Sequence, residues 1–465
     1  MSPVETAAQS FSAPALSPDL KQLAADIVAK AARAGATDAE VVIREGDEFS
    51  TLVRLGQVET LKESGSRGIG LRVFLGQRTA STSSSDFTPE GIEHLVNGAI
   101  SLARVTSEDP FAGLPEHGAF GQLTGDLDLY YEDVYSLPGE QRIDYARRAE
   151  AAALSVDTRI QNSDGGSFDA ATGRKVLANS RGFVGESQRS YCSISAVPIA
   201  HSETGEMQRD YWYHAARTLG RLESPESIGI EAARRTLRRL NARRVATQRV
   251  PVVFAPEIAR GLIGNIFEAA NGDAIYRGAS FFTGLLGEQV AAESVTVIDD
   301  GTIVGGFGTA AFDGEGLPTR RTVIVERGIL KNYLLNTYTA RKMNMQSTGN
   351  ASRGLAGNPG IGAGNLFLEQ GSLTPGQILA DIPSGLYVTE LMGPGINMVT
   401  GDYSRGASGI WIENGELTYP VQEITIAGNL KDMFRNISAI GSDLEFRGSV
   451  ASPTIRIDGM TIAGS

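Results

Sequence analysis

The stretch Thr400-Gly401-Asp402-Tyr403-Ser404-Arg405-Gly406 gathers a carboxylate, a hydroxyl and a guanidinium between two glycines. Successive backbone N–H groups in such a stretch can form a nest for an anion. It lacks the Gly-Lys-Ser/Thr ending of a P-loop, and no helical pattern follows it. Its plain reading is a turn between two strands. Two roles stand open for Arg405: an ion pair with Asp402 that fixes the loop, or a planar fork for a substrate carboxylate. Ser404 needs an imidazole to become a nucleophile. The four histidines, His94, His117, His201 and His214, are all far upstream. A second carboxylate comes from Thr389-Glu390-Leu391-Met392-Gly393. Glu390 and Asp402 are the candidates for general-base duty, although without a metal or an acid partner such groups more often anchor turns.

Metal chemistry finds little support. His201 and His214 with Cys192 match no tetrahedral ligand spacing and read as structural residues. The single cysteine rules out an internal disulfide and suits a reducing, cytoplasmic compartment. A formal net charge of -12 disfavours nucleic acid as a partner. No apolar run approaches a membrane span. Residues 1–16, rich in Ala, Ser and Pro, read as a loose terminal tail without a secretory pattern.

The elements that must position these residues follow from hydrophobic periodicity. The composition, 41% hydrophobic and 21% charged, allows a large core. Fifty-five glycines point to many turns and bulges, hence to strands. Ser17-Pro18 reads as a helix start, with Leu20, Leu23, Ile27 and Ala31 on one face. Short strands are expected at 39–43, 49–55, 58–61, 69–73 and 78–83, with turns at Gly56 and Gly76-Gln77. Thr88-Pro89 opens a second helix, and a third is expected from Gln141 to Leu154. Turns are expected at Asp164-Gly165-Gly166 and Ser180-Arg181-Gly182. An arginine-rich helix from Pro225 to Leu240 reads as a solvated face leading into a linker. The element order implies an α+β protein: an N-terminal α/β domain over 17–245, with helices on an antiparallel sheet, then a large, mainly antiparallel β domain over 246–465.

Phe312-Asp313-Gly314-Glu315-Gly316, the two stretches around Glu390 and Asp402, Trp411-Ile412-Glu413-Asn414-Gly415-Glu416 and Pro420–Met433 occur in an order that resembles the TldE (PmbA) side of the TldD/PmbA metallopeptidase family. The resemblance is dense over residues 250–437. It implies the two-domain fold above and a heterodimer with a TldD-like subunit that degrades or matures unfolded peptides. In TldD a His-Glu-x-x-x-His helix and a later cysteine hold zinc. Here the corresponding helix runs from Gly261 to Gly272, and the histidine positions fall at Ile263 or Gly264 and at Glu268. A lone Glu268 carboxylate is a poor zinc site. The resemblance therefore implies no metal in this chain and zinc in the partner. It also places Glu390, Gly393, Asp402, Ser404 and Arg405 on the side facing the proteolytic chamber or the partner. Peptide is expected to bind by strand addition at exposed edges of the β domain. The leading expectation is a non-catalytic subunit. The rivals are a self-contained homodimeric hydrolase acting without zinc, and a regulatory binding protein acting on a nucleic-acid enzyme.

Overall fold

A computed structural model describes residues 19–464. The expected tail over 1–16 and the expected helix start at Ser17-Pro18 lie outside the described residues. Within them, Asp19 caps α1 (Leu20–Arg33) by accepting the backbone N–H groups of Lys21 and Gln22. There follow β1 (Asp38–Arg54), β2 (Gln57–Leu75), β3 (Arg78–Ser84) and α2 (Pro89–Val105). Thr88 caps α2 through the N–H of Gly91, 3.1 Å away, as its Thr-Pro start predicts. After α3 (Asp133–Ser136) and α4 (Gly139–Ser155) come β4 (Ile160–Asn179), β5 (Val184–His201), β6 (Met207–Arg209), β7 (Trp212–Ala216) and α5 (Pro225–Leu237).

All seven strands form one sheet in the order β3-β2-β1-β4-β5-β6, with β7 also paired to β5. Every pairing in it is antiparallel. The strands expected as short pieces are continuous. Leu55 and Gly56, both at positive φ, close a two-residue hairpin between two long arms. The turn expected at Asp164–Gly166 is instead a bulge within β4, where the register slips between Ser163 and Gly165. Gly165 takes a φ of +117°, so the strand bends there without reversing.

Alternation divides this sheet into two faces. Val41, Ile43, Ile69, Leu71 and Val73 pack under α1 and α2, and α4 and α5 cover the other end through Ala149, Ala153, Ile228 and Ala232. The opposite face carries Val42, Gly70, Arg72 and Leu177 and meets the second half of the chain.

That half begins with β8 (Gln248–Phe254), α6 (Pro256–Ala270) and α7 (Gly272–Tyr276). Then come β9 (Val297–Asp300), β10 (Arg321–Glu326), β11 (Ile329–Leu330), α8 (Thr337–Lys342), β12 (Ala351–Ser352), β13 (Gly360–Ile361), β14 (Asn365–Leu368) and α9 (Pro375–Leu379). The chain finishes with β15 (Ser384–Met392), β16 (Asp402–Glu413), β17 (Glu416–Asn429), α10 (Leu430–Arg435), β18 (Ile437–Ile440), β19 (Val450–Ala451) and β20 (Ile455–Ala463). The main sheet runs β17-β16-β15-β8-β20-β18, and β17 also pairs with β20. Five strands thus close on themselves around an apolar core that includes Phe254, Ile266, Leu386 and Ile457. The closure removes the long free edge that strand addition would need here. A long unpaired stretch is found in the first sheet, where β3 reaches along β2 only from Ile69 to Leu75 and leaves 57–68 open on that side.

The arginine-rich helix is a correction. Arg234 is exposed and, among the described residues, pairs only with Glu231 of its own helix, but Arg235 and the arginines just after the helix bind the two halves together. Arg235 pairs with Glu231 and Glu257 and lies 3.8 Å from the Trp212 ring centre. Arg239 pairs with Asp210 and with Glu390. Arg243 stacks on Tyr419, and Arg244 pairs with Glu423. Each cation has a carboxylate or aromatic partner across the seam, because tertiary packing brings acids that lie far away in sequence.

A second tie is buried. Glu40 on β1 faces Arg72 directly across β2 at 2.5 Å, and Arg353 from the second half closes on the same oxygen. All three residues are buried. Beside them the segment around Leu355 lies on Gly68 and Gly70; a Cβ on Gly70 would stand 1.7 Å from the Leu355 carbonyl oxygen. Glu40→Gln should therefore destabilise the chain by about 3–5 kcal/mol, since it removes the buried carboxylate charge that both guanidiniums contact. Gly70→Ala should cost about 1–3 kcal/mol through overpacking. Equilibrium denaturant unfolding measures both.

Candidate binding cleft and the metal-helix position

The same face of the first sheet that carries Val42 and Leu177 continues into polar residues and opens into a cleft of about 540 Å³ between the two halves. Arg44, Lys175 and Arg189 form its floor, and Asp299, Asp313, Asn350 and Arg353 stand on the other wall. The glycine-rich motif of the sequence supplies part of that wall. Asp313 accepts N–H groups from Glu315 (2.8 Å), Leu317 (3.0 Å) and Ala351 (3.1 Å), which ties the motif into a turn. Glu315 accepts the Thr337 N–H at the start of α8, 2.9 Å away. Burial raises the pKa of both carboxyls, and the charge of Asp313 raises that of Glu315 further. Asp299 accepts Asn350 Nδ2 at 2.6 Å and the Gly364 N–H at 2.7 Å, and burial pushes its pKa up to about 6. Opposite, burial and then Arg44 and Arg189 lower Lys175 to about 8. Its ammonium sits 5.4 Å over the Phe312 ring.

None of the residues expected from sequence as a site lines this cleft. The stretch expected as a loop is strand: Asp402 to Gly406 begin β16, with Tyr403 and Ala407 buried and Asp402 and Ser404 exposed. Period two puts positions 402 and 405 on opposite faces, so the expected Asp402–Arg405 pair does not form. Asp402 takes the Thr400 hydroxyl at 2.6 Å and Asn429 Nδ2 at 3.1 Å, and these bonds, the Thr400 one foremost, lower its pKa. Arg405 Nε donates to the Gly393 carbonyl at 3.0 Å. Gly393, Ser404 and Arg405 do come together at the β15–β16 end, where the segment around Gly395 folds over Ser404 and receives its N–H at 2.7 Å. Glu390 is set apart by its ion pair with Arg239, which removes it as a free base.

The positions expected from the resemblance as a degenerate metal helix lie on α6. Ile263 is buried in the apolar core, so that position is used for packing. Gly264 faces open space, since a Cβ there would meet nothing within 4 Å. Glu268 is exposed and has a pKa raised by desolvation. A zinc ion does not fit this donor set, which lacks any imidazole. Among the described residues, one group could bring three ligand atoms together: His214, Glu223 and Glu445. It fits poorly too. His214 Nδ1 accepts the Glu223 N–H, so its other nitrogen carries the proton in the neutral ring. Arg447 pairs with both glutamates and supplies the counter-charge. Cys192 is buried, donates to the Ala216 carbonyl and has its pKa pushed up to about 12, so it stays a thiol.

The family models described as PmbA/TldA metallopeptidase domain 1, central domain and C-terminal domain match residues 39–103, 132–240 and 247–464. Metalloprotease PmbA of Escherichia coli O157:H7 is 40% identical over 92% of both chains. The chain belongs to the PmbA/TldD metallopeptidase family. A second relative, the PmbA homolog of Haemophilus influenzae, is 36% identical over 96% of each chain. Among solved structures, a Bacteroides thetaiotaomicron protein named for a proposed role in modulating DNA gyrase superposes with a TM-score of 0.90 at 27% identity, covering 97% of this chain and all of that one. TldE of Thermococcus kodakarensis shares the fold with a TM-score of 0.85 at 20% identity, over 95% of this chain and all of the other. The resemblance drawn from the sequence motifs and the α+β assignment both hold. No described helix is long and apolar enough to cross a membrane.

The cleft cations were missed because no local pattern marks them. Arg44, Lys175 and Arg189 come from three strands, and only the register aligns them. The Asp313–Glu315 motif was visible, but as a family signature and without a place. Asp299 offers a pH test. Its folded-state pKa lies above the usual aspartate value, so between about pH 4 and pH 6 the native state holds a proton that the unfolded chain releases. Stability should fall as pH rises through that window, by roughly 1–3 kcal/mol. Asp299→Asn should flatten the profile, as measured by denaturation midpoints across pH.

Proposed function

We propose that this chain is the PmbA/TldE-type subunit of a cytoplasmic, heterodimeric zinc peptidase acting on unfolded peptides, and that it shapes the chamber without supplying the metal site. The observation that carries the reading is α6. At the positions where a TldD-like helix is expected to hold zinc, this chain has a core aliphatic, a glycine and an exposed acid. The open face around Gly264 leaves room for another chain or a peptide to approach the helix. The relatives named as metalloproteases support the peptidase setting. A zinc-bearing TldD-like partner supplies the hydrolytic water in this reading, and the residues of this chain bind and orient.

The experiment is metal analysis beside a casein-cleavage assay. Alone, the chain should hold well below ~0.1 zinc per molecule and cleave nothing; with the partner, about one zinc per pair should accompany chelator-sensitive cleavage. Stoichiometric metal held by the isolated chain would falsify the reading; chelator-resistant cleavage by the chain alone would overturn it in favour of a self-contained hydrolase acting without zinc.

A further inference from the structure

Arg44 on β1 stands directly across from Lys175 on β4, and Arg189 on β5 stands across from Gly173, one same-face position along. Residues opposite each other, or two apart on a strand, share a face of the sheet. Three cations therefore rise from one side into the cleft. Like charges placed directly opposite each other weaken a sheet. None of the three makes an ion pair among the described residues; Arg44 donates to the Arg353 carbonyl, and Lys175 has only the Phe312 ring and the more distant charge of Asp313. Of the carboxylates lining the cleft, Asp313 is held by three N–H groups, Asp299 by Asn350 and Gly364, and Glu45 by Arg174, while Glu48 stands four residues along β1 from Arg44 and pairs with none of the three cations. A chain with a net charge of -12 has thus gathered uncompensated positive charge on the floor of a cleft wide enough for a ligand.

We propose that this floor is a carboxylate-binding site that draws acidic segments of an extended peptide into the interdomain cleft. Arginine forks match carboxylate geometry, and the acids on the facing wall repel a doubly charged phosphate more than a singly charged carboxylate. The inference rests on the proposed function only for the ligand being a peptide. The carboxylate comes from an acidic side chain or from the peptide C-terminus.

Calorimetric titration of the full chain, without any partner, tests this. The probes are an Ala-Glu-Ala-Glu-Ala peptide blocked at both ends, its lysine counterpart, and an alanine peptide with a free C-terminal carboxylate. The glutamate peptide should bind about tenfold more tightly than the lysine one at low salt. Lys175→Met and Arg189→Gln should each erase most of that preference. If the alanine peptide matches the glutamate one, the chain terminus is the source; if it binds more weakly, side chains are. Equal binding of the glutamate and lysine peptides, or a preference that survives both substitutions, overturns the inference. So does inorganic phosphate displacing the glutamate peptide at lower concentration than acetate. Thermal melting keeps the variants interpretable, because Lys175→Met removes a repelled, desolvated charge and should not lower Tm. With no partner in the assay, failure here leaves the subunit assignment standing, and failure of partner-dependent cleavage leaves this inference standing.

Discussion

The structure turns on one buried carboxylate. Glu40 is shared by Arg72 from its own sheet and Arg353 from the other half of the chain. Two guanidiniums out of water are costly alone, and a carboxylate between them makes their burial tolerable only while both halves are in register. That triad, with the close approach of Leu355 to Gly70, fixes the distance between the sheet face and the loops above it. Where the face turns from apolar to charged, the same separation becomes the cleft.

A second set of ties runs along the far side of the seam. Arg235, Arg239, Arg243 and Arg244 connect the end of α5 and the segment after it to Glu257, Glu390, Tyr419 and Glu423. Several are partly exposed, and single exposed pairs contribute little. Their number and spread matter for orientation, since each is satisfied in one arrangement of the halves. The chemistry of the seam also explains why Glu390 is unsuited to proton transfer, since a guanidinium already holds it.

The α6 positions expected from the resemblance as a degenerate metal helix and the cleft are distinct places in this chain. On α6, Ile263 is used in core packing and Gly264 faces open space. In the cleft, charge is concentrated and unspent. A polar cleft with cations on its floor is suited to holding a ligand.

The sequence by itself determined the fold class, the helix starts at Thr88 and Pro225, the hairpin turn at Gly56 and the absence of imidazoles from α6. Each of these depends on residues within a turn or two of one another, or on composition alone. It also carried the family, through motifs long enough to be specific. What only the tertiary structure decided is what meets across the sheet and across the seam. Arg44 and Lys175 are neighbours by strand register, Asp402 and Arg405 are kept apart by the two-residue repeat of a strand read as a loop, and the arginines after α5 find acids far along the chain. Local propensity carries no information about register or about which distant charge lies opposite. The burial of Glu40 and the filling of the cleft floor with cations were therefore settled only when the two halves packed.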